Sequence, residues 1–515
     1  MGKSKVYNIL SGMNKIKWSI TVKGVLSGLI AGVLAVLYRL GIEYGTEAAI
    51  KIYAYLKVNP AMIILWLIAV IFAGLFISWL VKLEPMATGS GIPQVEGIVL
   101  YGMKMKWYMI LFVRFVGGIL SSFAGVSLGR EGPSIQIGAC GYQAISKKIS
   151  KNKLEENYLI TGGAAAGLSA AFSAPLSGMV FALEEVHRSF SPLILIAATT
   201  ASLTADVVSK YFFGLTPVLS FIKIPQLPVK FYLFLVPLGI LSGLVGSLIN
   251  KALLASQSLY EKIPAKMRLI AAFIIALPCG LFLPQVLGGG QNLIQAAEEA
   301  QSGIIMLFIF LVVKFIFTCT SFGSGLPGGI FLPILSVGAL TGSVLGLFVV
   351  QFGFPVEYIP VFCVCTMAGA LSSSVKAPVT SILLTAEMTG SLVHLLPVAV
   401  CSFTALLISD VLRVTPIYEA LLERMTEEDK DTIKVNKPGA LLEIPVELGS
   451  EVSGKMVSEI TWPEGALVVG IHRGDKEIVP NGDTIISPGD YLVLLSSECE
   501  YKDMSIMARA LCHLN

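Results

Sequence analysis

The sequence predicts an all-α polytopic membrane protein, built from two related halves with broken helices and followed by a small α+β domain. Of the 515 residues, 55% are hydrophobic and only 14% are charged, and the mean hydropathy is +0.78. These values lie far on the apolar side of soluble globular proteins. Two long apolar regions are interrupted repeatedly by Gly, Pro, Ser and Thr. After Arg424 the chain becomes polar, and no later stretch is long enough to cross a bilayer.

Charge and cysteine content exclude several function classes. The net charge of +3 is a small difference between 37 basic and 34 acidic residues, so neither nucleic acid nor an acidic partner is implied. The eight cysteines include no CxxC pair and no Cys/His cluster with zinc spacing, which argues against a structural metal and a disulfide framework. We therefore expect no metal and no resident cofactor.

The membrane-spanning segments begin near the N-terminus. Lys3, Lys5, Lys15 and Lys17 precede the apolar stretch Ser19–Leu40, which is too long for a signal-peptide core and has no obvious cleavage pattern. Basic residues before a span favour a cytoplasmic N-terminus. We expect a multi-pass protein of the cell membrane with both termini in the cytoplasm. Five further stretches have the length needed to cross about 30 Å of hydrocarbon: Ala61–Lys82, Trp107–Leu128, Lys230–Asn250, Arg268–Val286 and Gly303–Thr320.

Two other regions, 129–185 and 323–412, favour short or discontinuous helices, which at membrane depth usually line a site. Two sequence matches connect the halves of the chain. GSGIP at 89–93 recurs as GSGLP at 323–327, and APLSGMVFALEE from Ala174 resembles APVTSILLTAEM from Ala377. Duplicated halves with interrupted apolar segments indicate a transporter-like fold with its site where the halves meet. The duplication itself leaves open whether the halves are inverted.

The C-terminal part has a different character. We predict a membrane domain over residues 1–425, a linker over 426–437 and a soluble domain over 438–515. Short β-like runs alternate with turn signals at 473–475 and 488–490. The runs are LLEIPVEL, ALVVGIH, EIVP and TIISPGDYLVLLS, and SGKMVSEI is predicted to form a short helix.

The interrupted segments have the chemistry of an anion pathway. Such a pathway favours helix N-termini, whose unpaired N–H groups attract an anion without the full positive charge that would trap it. GSGIP fits this requirement, because its glycines allow close approach of the backbone, Pro93 suits a first helical turn and Ser90 can donate a hydroxyl hydrogen bond. GREGP at 129–133 and GGIFLP at 328–333 repeat the pattern. We expect the three loops to converge on one anion.

Glu131 lies inside this apolar tract, in GREGP. A lipid-facing carboxylate is costly, so the residue should face the protein interior or a water-filled pathway. When ionised it competes with an anion for the same N–H donors, and when protonated it loses that competition. A buried ion pair of Arg130 with Glu131 is the less favoured alternative, because adjacent side chains do not readily pair.

These three loops resemble the signature loops of the CLC family of chloride channels and proton-coupled chloride exchangers. The resemblance covers roughly the first 420 residues, in order along the chain. It implies an inverted-repeat helical membrane fold, a homodimer and one ion pathway per subunit, with chloride and protons as the transported ions. Gln94 departs from many relatives, which carry an acidic or basic residue there, but it lies outside the residues that contact the anion.

The resemblance also implies roles for single residues. Glu131 matches the external gating glutamate and proton acceptor. The anion-binding residues implied by the loops are Ser90, Gly129, Arg130, Gly132, Ile330 and Phe331, and Tyr418 in TPIYEALL matches the inner-gate tyrosine. Without the loops, Tyr418 would be interpreted as an interfacial aromatic anchor. Serine at position 90 implies chloride, since nitrate-preferring relatives tend to carry proline there.

Exchange and passive conduction are distinguished at Glu185. In FALEEVHR it stands where exchangers of the family carry their internal proton-transfer glutamate, which favours a chloride/proton antiporter over a voltage- or ligand-gated channel. The alternative is a solvated cluster of Glu184 and Glu185 with His187 and Arg188 at the membrane boundary. Glu387 is the counterpart of Glu184 in the repeat, and the resemblance suggests a structural role for it.

The tail resembles the RCK or TrkA C-terminal type of regulatory module. Some relatives bind small ligands such as cyclic dinucleotides, so a ligand of that class regulating transport is one expectation. A module that only aids dimerisation is the other, because no phosphate-binding glycine loop stands out. An intramembrane enzyme is disfavoured, since the four histidines form no HExxH motif.

Overall fold

The computed structural model describes residues 2–150, 153–219, 221, 224–428, 440–446, 450–463, 465–473, 476–496, 508, 511 and 512. They form two compact units, one of Met1–Val95 with Met105–Leu421 and the other of Glu96–Lys104 with Leu422–Asn515. Residues 429–437 of the predicted linker lie outside the described residues. Nine helices in the described ranges are long and apolar enough to cross a membrane, as a polytopic membrane fold requires.

The first half of the helical part of the chain contains eight helices. They are α1 Gly2–Val58, α2 Met62–Leu83, α3 Ile92–Tyr101, α4 Trp107–Phe123, α5 Glu131–Ile149, α6 Lys153–Phe172, α7 Pro175–Phe181 and α8 Pro192–Phe213. Helix α3 ends in residues of the second unit. A π-helical turn, Ala182–Val186, extends α7. Helices α1, α6 and α8 pack through fully buried alanines, and a Cβ built on Gly28 would lie 2.3 Å from the Ala201 carbonyl oxygen. Small residues therefore allow these backbones to approach closely.

The second half repeats this order. It contains α9 Leu235–Glu261, α10 Ala265–Phe282, α11 Gln291–Glu299, α12 Gly303–Gly323, α13 Phe331–Val350, α14 Ile359–Val375, α15 Pro378–Thr389, α16 Leu395–Val411 and α17 Ile417–Glu428. The Ala-Pro match between the halves is confirmed, because both prolines begin a helix, α7 and α15. The five predicted spans after the first correspond to α2, α4, α9, α10 and α12.

The structure corrects the register of the other match. A 3₁₀ turn, Pro85–Ala87, precedes the loop before α3, and a 3₁₀ turn, Pro284–Val286, precedes the loop before α11. The counterpart of GSGIP is therefore the glycine run at 288–290. GSGLP at 323–327 lies instead before α13, where it corresponds to the loop before α5. The predicted alignment of GSGIP with GSGLP was wrong because the glycines of GSG suit the end of one helix as well as the start of the next. A short glycine motif therefore does not indicate which loops of a repeat correspond.

The tail forms a four-stranded antiparallel sheet with strand order β1-β4-β2-β3. The strands are β1 Ala440–Pro445, β2 Ala466–Arg473, β3 Lys476–Ile478 and β4 Asp490–Ser496, so each of the four predicted β runs contains a strand, and residues 447 and 448 of the first run lie outside the described residues. The predicted helix in SGKMVSEI is only a 3₁₀ turn, Val457–Glu459. Asp490 is fully buried and accepts hydrogen bonds from Arg473 at 2.7 and 2.8 Å, which raise the pKa of Arg473. This ion pair connects β2 to β4.

Candidate functional site

Three loops meet where the two halves of the membrane unit join. Gly129 and Gly329 donate a hydrogen bond to each other's carbonyl oxygen, each at 2.7 Å, as in an antiparallel β-bridge. The Gly328 N–H donates to the Gly89 carbonyl oxygen at 3.0 Å. The structure thus brings GSGIP, GREGP and GGIFLP together by backbone hydrogen bonds, as their shared composition predicts.

Two of these loops start a helix at the junction. Arg130 and Ile330 are the N-cap residues of α5 and α13, and neither side chain caps its helix. The first N–H groups of both helices therefore need another acceptor, and those of Glu131 and Leu332 act on the Glu131 carboxyl group. A Cβ built on Gly132 would lie 2.5 Å from Ser90 Oγ. Ser90 consequently sits against the first turn of α5, where the helix dipole favours negative charge.

Glu131 is the first residue of α5 and is fully buried. The backbone N–H groups of Arg130, Glu131 and Leu332 act on its carboxyl group, although none of them forms a hydrogen bond of standard geometry with it. A Cβ on Gly129 would lie 2.0 Å from Glu131 Oε2, and one on Gly329 would lie 3.5 Å from it. The carboxyl group therefore occupies the space that the two bridged glycines leave open.

Tyr418, fully buried near the start of α17, lies close to the junction. Its ring stacks on Phe331 with the ring centroids 5.8 Å apart, and Phe331 meets Phe181 edge-on at 5.6 Å. The Tyr418 hydroxyl and Ser90 Oγ are buried and interact with each other, and neither forms a hydrogen bond of standard geometry in the described part of the chain. Buried hydroxyl groups are normally paired. Two neighbouring buried hydroxyls that can turn their protons toward a third group are suited to hold a small anion.

Arg130 does not pair with Glu131. Its Nη1 donates to Glu43 Oε1 on α1 at 2.6 Å, and Arg39 Nε donates to the same oxygen at 3.0 Å. The adjacent ion pair considered from the sequence is thus replaced by a bond to another helix. Only the backbone of Arg130 lies among the three loops, and its side chain connects α5 to α1.

Glu184, in the π-helical turn after α7, and its repeat counterpart Glu387 make matching hydrogen bonds. Glu184 accepts hydrogen bonds from the Thr380 backbone N–H at 2.8 Å and the Thr380 hydroxyl at 2.7 Å. In the other half, Glu387 accepts the matching bonds from the N–H and hydroxyl of Ser177 at 2.8 and 2.5 Å. Each glutamate therefore caps the short helix of the opposite half.

Glu185 lies in the π-helical turn and exposes only 5% of its surface. The turn carries an i→i+5 bond, from the His187 N–H to the Ala182 carbonyl oxygen at 2.9 Å. Glu185 interacts electrostatically with Tyr418, and so does Glu131. The burial of Glu185 argues against the alternative of a solvated acidic–basic cluster at the membrane boundary. Tyr418 is therefore within electrostatic range of both carboxyl groups.

Sequence reasoning missed two buried cations that hold the loops. Arg114 on α4 donates to the carbonyl oxygens of Gly89 at 2.5 Å and Thr88 at 3.0 Å. Lys314 on α12 donates to those of Gly288 at 2.7 Å and Val286 at 3.0 Å. Both side chains are fully buried. The signal was a lone basic residue inside each apolar helix, which usually faces the protein interior.

The described residues contain no group of three or more His, Cys, Asp or Glu side chains that could hold a metal ion. The site instead combines N–H groups of two helices, two hydroxyls and one carboxyl group that can be protonated. Such a site can bind an anion by dipoles, and its carboxyl group can take up a proton.

Comparisons with known proteins agree with this geometry. Residues 73–410 match the family model of the voltage gated chloride channel, and residues 441–501 match the TrkA-C domain. The H(+)/Cl(-) exchange transporter ClcA of Yersinia pseudotuberculosis is 31% identical over 455 residues, covering 85% of this chain and 94% of the relative. ClcA of Salmonella arizonae is 32% identical over 441 residues, covering 82% and 92%.

Solved structures show the same fold. A slow cyanobacterial Cl-/H+ antiporter superposes with a TM-score of 0.75 at 28% identity, covering 81% of this chain and 99% of that one. A eukaryotic CLC transporter superposes with a TM-score of 0.64 at 20% identity, covering 79% and 74%. With broken helices, paired halves and three convergent glycine loops, the chain is a multi-pass membrane protein that belongs to the voltage gated chloride channel family, CLC.

Proposed function

We propose that this protein is a secondary active antiporter that exchanges chloride for protons. The observation that carries the proposal is Glu131, a fully buried carboxyl group at the N-terminus of α5 on which backbone N–H groups of both α5 and α13 act. Negative charge is favoured at a helix N-terminus, so the carboxylate and a chloride ion compete for one position. The names of the relatives, which are exchange transporters, support the same activity.

The anion is held by groups of both halves. Ser90 and the Tyr418 hydroxyl donate to it from the side of α3 and α17, and the backbone N–H groups of Ile330 and Phe331 face it from α13. Gly129, Arg130 and Gly132 bind it through the backbone when Glu131 moves away. No full positive charge contacts the ion, so it can leave again.

The proton and the chloride are coupled at Glu131. An ionised Glu131 occupies the anion position itself, and a protonated Glu131 gives that position up. Glu185 supplies the proton from the cytoplasmic side, because it is a second buried carboxyl group within electrostatic range of Tyr418. A passive channel has no need for this second carboxyl group, so the antiporter is the better supported of the two alternatives.

Flux measurements test the exchange directly. Purified protein in liposomes, with a chloride gradient as the only driving force, should move protons uphill. A pH-sensitive dye inside the vesicles and a chloride electrode outside them would record both ions. Chloride flux without proton movement would make the protein a passive channel and would contradict the proposal.

Ser90→Pro should shift the preference from chloride toward nitrate by roughly tenfold, because the hydroxyl donor favours chloride over nitrate and a difference of about 1.4 kcal/mol between the two affinities is tenfold. The shift would be measured as the ratio of nitrate to chloride flux in liposomes. Ser247→Ala on α9, which alters another buried hydroxyl, is the matched control. An unchanged ratio in Ser90→Pro would remove Ser90 from the anion site.

The assembly and orientation follow the family. We infer a homodimer in the cell membrane, with one chloride pathway in each subunit and both termini in the cytoplasm. The lysine-rich N-terminus supports this orientation. Cross-linking in membranes and cysteine labelling from each side would test the two inferences separately.

The TrkA-C region is the regulatory part, and a cyclic dinucleotide is the class of ligand we infer for it. Truncation after Glu427 should leave chloride flux within about twofold of the full chain, because domains of this kind fold separately from their neighbours. The same truncation should remove any response to an added cyclic dinucleotide. Loss of all transport in a normally folded truncated protein would contradict a purely regulatory tail. A full chain that does not respond would exclude this ligand class.

A further inference from the structure

A small cavity lies beside the GREGP loop, between α1, α4 and the three-loop junction. Residues with hydroxyl groups line it from both helices, Tyr38 and Thr46 from α1 and Ser121 and Ser122 from α4. Gly129 lines it on the side of the junction. The cavity has room for about one water molecule. The hydroxyl end of a carboxyl group has a similar size, so the cavity can receive one.

The Glu131 carboxyl group and the cavity meet at Gly129. A Cβ on Gly129 would clash with Glu131 Oε2, so the missing side chain leaves the way between them open. On the other side of the cavity, Tyr38 is 1% exposed, and a Cβ on Gly118 would clash with its hydroxyl oxygen. Tyr38 and Glu131 also act on each other electrostatically. The carboxyl group and the phenol therefore lie on either side of one small cavity.

The lining distinguishes the two protonation states of a carboxyl group. The hydroxyls of Thr46, Ser121 and Ser122 donate their protons to carbonyl oxygens of their own helices, at 2.9, 2.7 and 2.7 Å. Their oxygen lone pairs can still accept a hydrogen bond, and the phenol of Tyr38 can donate one. An ionised carboxylate only accepts hydrogen bonds, whereas a protonated carboxyl group both donates and accepts. The cavity is therefore suited to Glu131 in its protonated form.

The charges around Glu131 favour its ionised form outside the cavity. The other charged or titratable groups that act on Glu131 or Tyr38 are Arg130, which is paired with Glu43, Arg114 on α4 and Tyr418 on α17. Arg130 stabilises a negative charge on Glu131. No charged side chain is among the described residues that line the cavity, and burial disfavours a charge that has no partner. Protonation therefore shifts the preference of the carboxyl group toward the cavity.

We propose that the cavity receives the carboxyl group of Glu131 when this group is protonated, and that Tyr38 holds it there by a hydrogen bond from the phenol. This step deepens the exchange cycle, so the inference rests on the function proposed above. It gives the protonated side chain a position outside the anion pathway. When Glu131 releases its proton, the cavity offers the carboxylate only one donor, and the group returns to the N–H groups of the helices. Tyr38 is thus a positioning residue for the exchange.

The test is the pH dependence of chloride flux in liposomes that have the same pH on both sides. Flux should rise as the pH falls, because protonation removes Glu131 from the anion position. Tyr38→Phe removes a hydrogen bond that favours the protonated form, so half-maximal flux should require a pH lower by roughly 0.5 to 1 unit. The matched control is Tyr53→Phe, which changes another buried tyrosine of α1, bonded to the Ala124 carbonyl oxygen at 2.8 Å. It should leave the midpoint unchanged.

The same substitution in a Glu131→Ala background separates positioning from structure. Without the carboxyl group the cavity has nothing to receive, so Tyr38→Phe should leave chloride flux unaltered there at every pH. An equal change in both backgrounds, a midpoint shifted upward or a midpoint that does not move would overturn the proposal.

A second variant decides if Tyr38→Phe does not fold. Thr46→Val removes an acceptor of the cavity at nearly the same size, so it should also lower the midpoint. An unchanged midpoint in that variant would equally overturn the proposal. A wild-type protein that moves chloride without protons would refute the proposed function, whereas a coupled exchanger with equal midpoints would refute only the role of the cavity.

Discussion

Glu131→Gln should abolish proton movement while chloride still crosses the membrane. Glutamine has nearly the same shape as glutamic acid, but it carries no negative charge and cannot release a proton to its surroundings. Its amide therefore does not compete with chloride for the N–H groups of α5, so the pathway stays accessible. We expect chloride-driven proton flux to fall to the level of protein-free liposomes, and chloride flux to remain within about tenfold of wild type because dipoles still hold the ion.

A matched control for this variant is Glu47→Gln, which changes an exposed carboxylate on α1 and should leave both fluxes unaltered. Each protein should first be shown to be monodisperse. Coupled proton transport that persists in Glu131→Gln would refute the gate assignment. Loss of both fluxes in a well-folded variant would make Glu131 a structural residue of the three-loop junction.

The three loops could be predicted from the sequence because their requirement is local. Backbone that approaches an ion needs glycine, and a helix that begins at that point accepts proline in its first turn. Glu131 stood out for an energetic reason, since a carboxylate in an apolar tract must face protein or water. Ser90 could be identified as the hydroxyl donor of its glycine loop, whereas Tyr418 was identified through the resemblance, because a single tyrosine carries no comparable energetic signal.

Other parts of the site depend on distance in the fold and could not be predicted. Arg114 and Lys314 hold carbonyl oxygens that lie far from them in sequence, and nothing in an apolar helix says which loop its single cation reaches. The Glu43–Arg130 bond joins α1 to α5 and depends on how two long helices pack. The predicted alignment of GSGIP with GSGLP was wrong for the same reason, because only the 3₁₀ turns and the buried cations show which loops of the two halves correspond.

The two halves also differ where function requires it. The bridge of Gly129 and Gly329 is reciprocal, and the residues two positions later begin α5 and α13 in equivalent places. In one half that residue is Glu131, which can take up a proton. In the other it is Phe331, whose ring packs on Tyr418. The duplicated fold thus provides two equivalent helix N-termini. One carries a carboxyl group that loses its charge on protonation, and the other carries an aromatic ring.

Glu185→Val should remove uphill proton movement while leaving Glu131 and the anion site in place. A buried carboxyl group is costly at membrane depth, and valine avoids that cost but cannot carry a proton. Proton flux should therefore fall at least about tenfold, since transfer would lack its positioned acid, whereas chloride flux should continue. The measurement is proton uptake into liposomes driven by a chloride gradient.

The conservative variant Glu185→Asp separates proton transfer from packing. Aspartate keeps the carboxyl group and is smaller, so it should retain part of the uphill flux if transfer is the role of this position. A structural role predicts the reverse order, because valine fills a buried position better than a shortened acid does. Uphill proton flux at the wild-type level in Glu185→Val would remove Glu185 from the proton route. Since Glu131 lies elsewhere, that outcome would leave the gate assignment to be judged by Glu131→Gln.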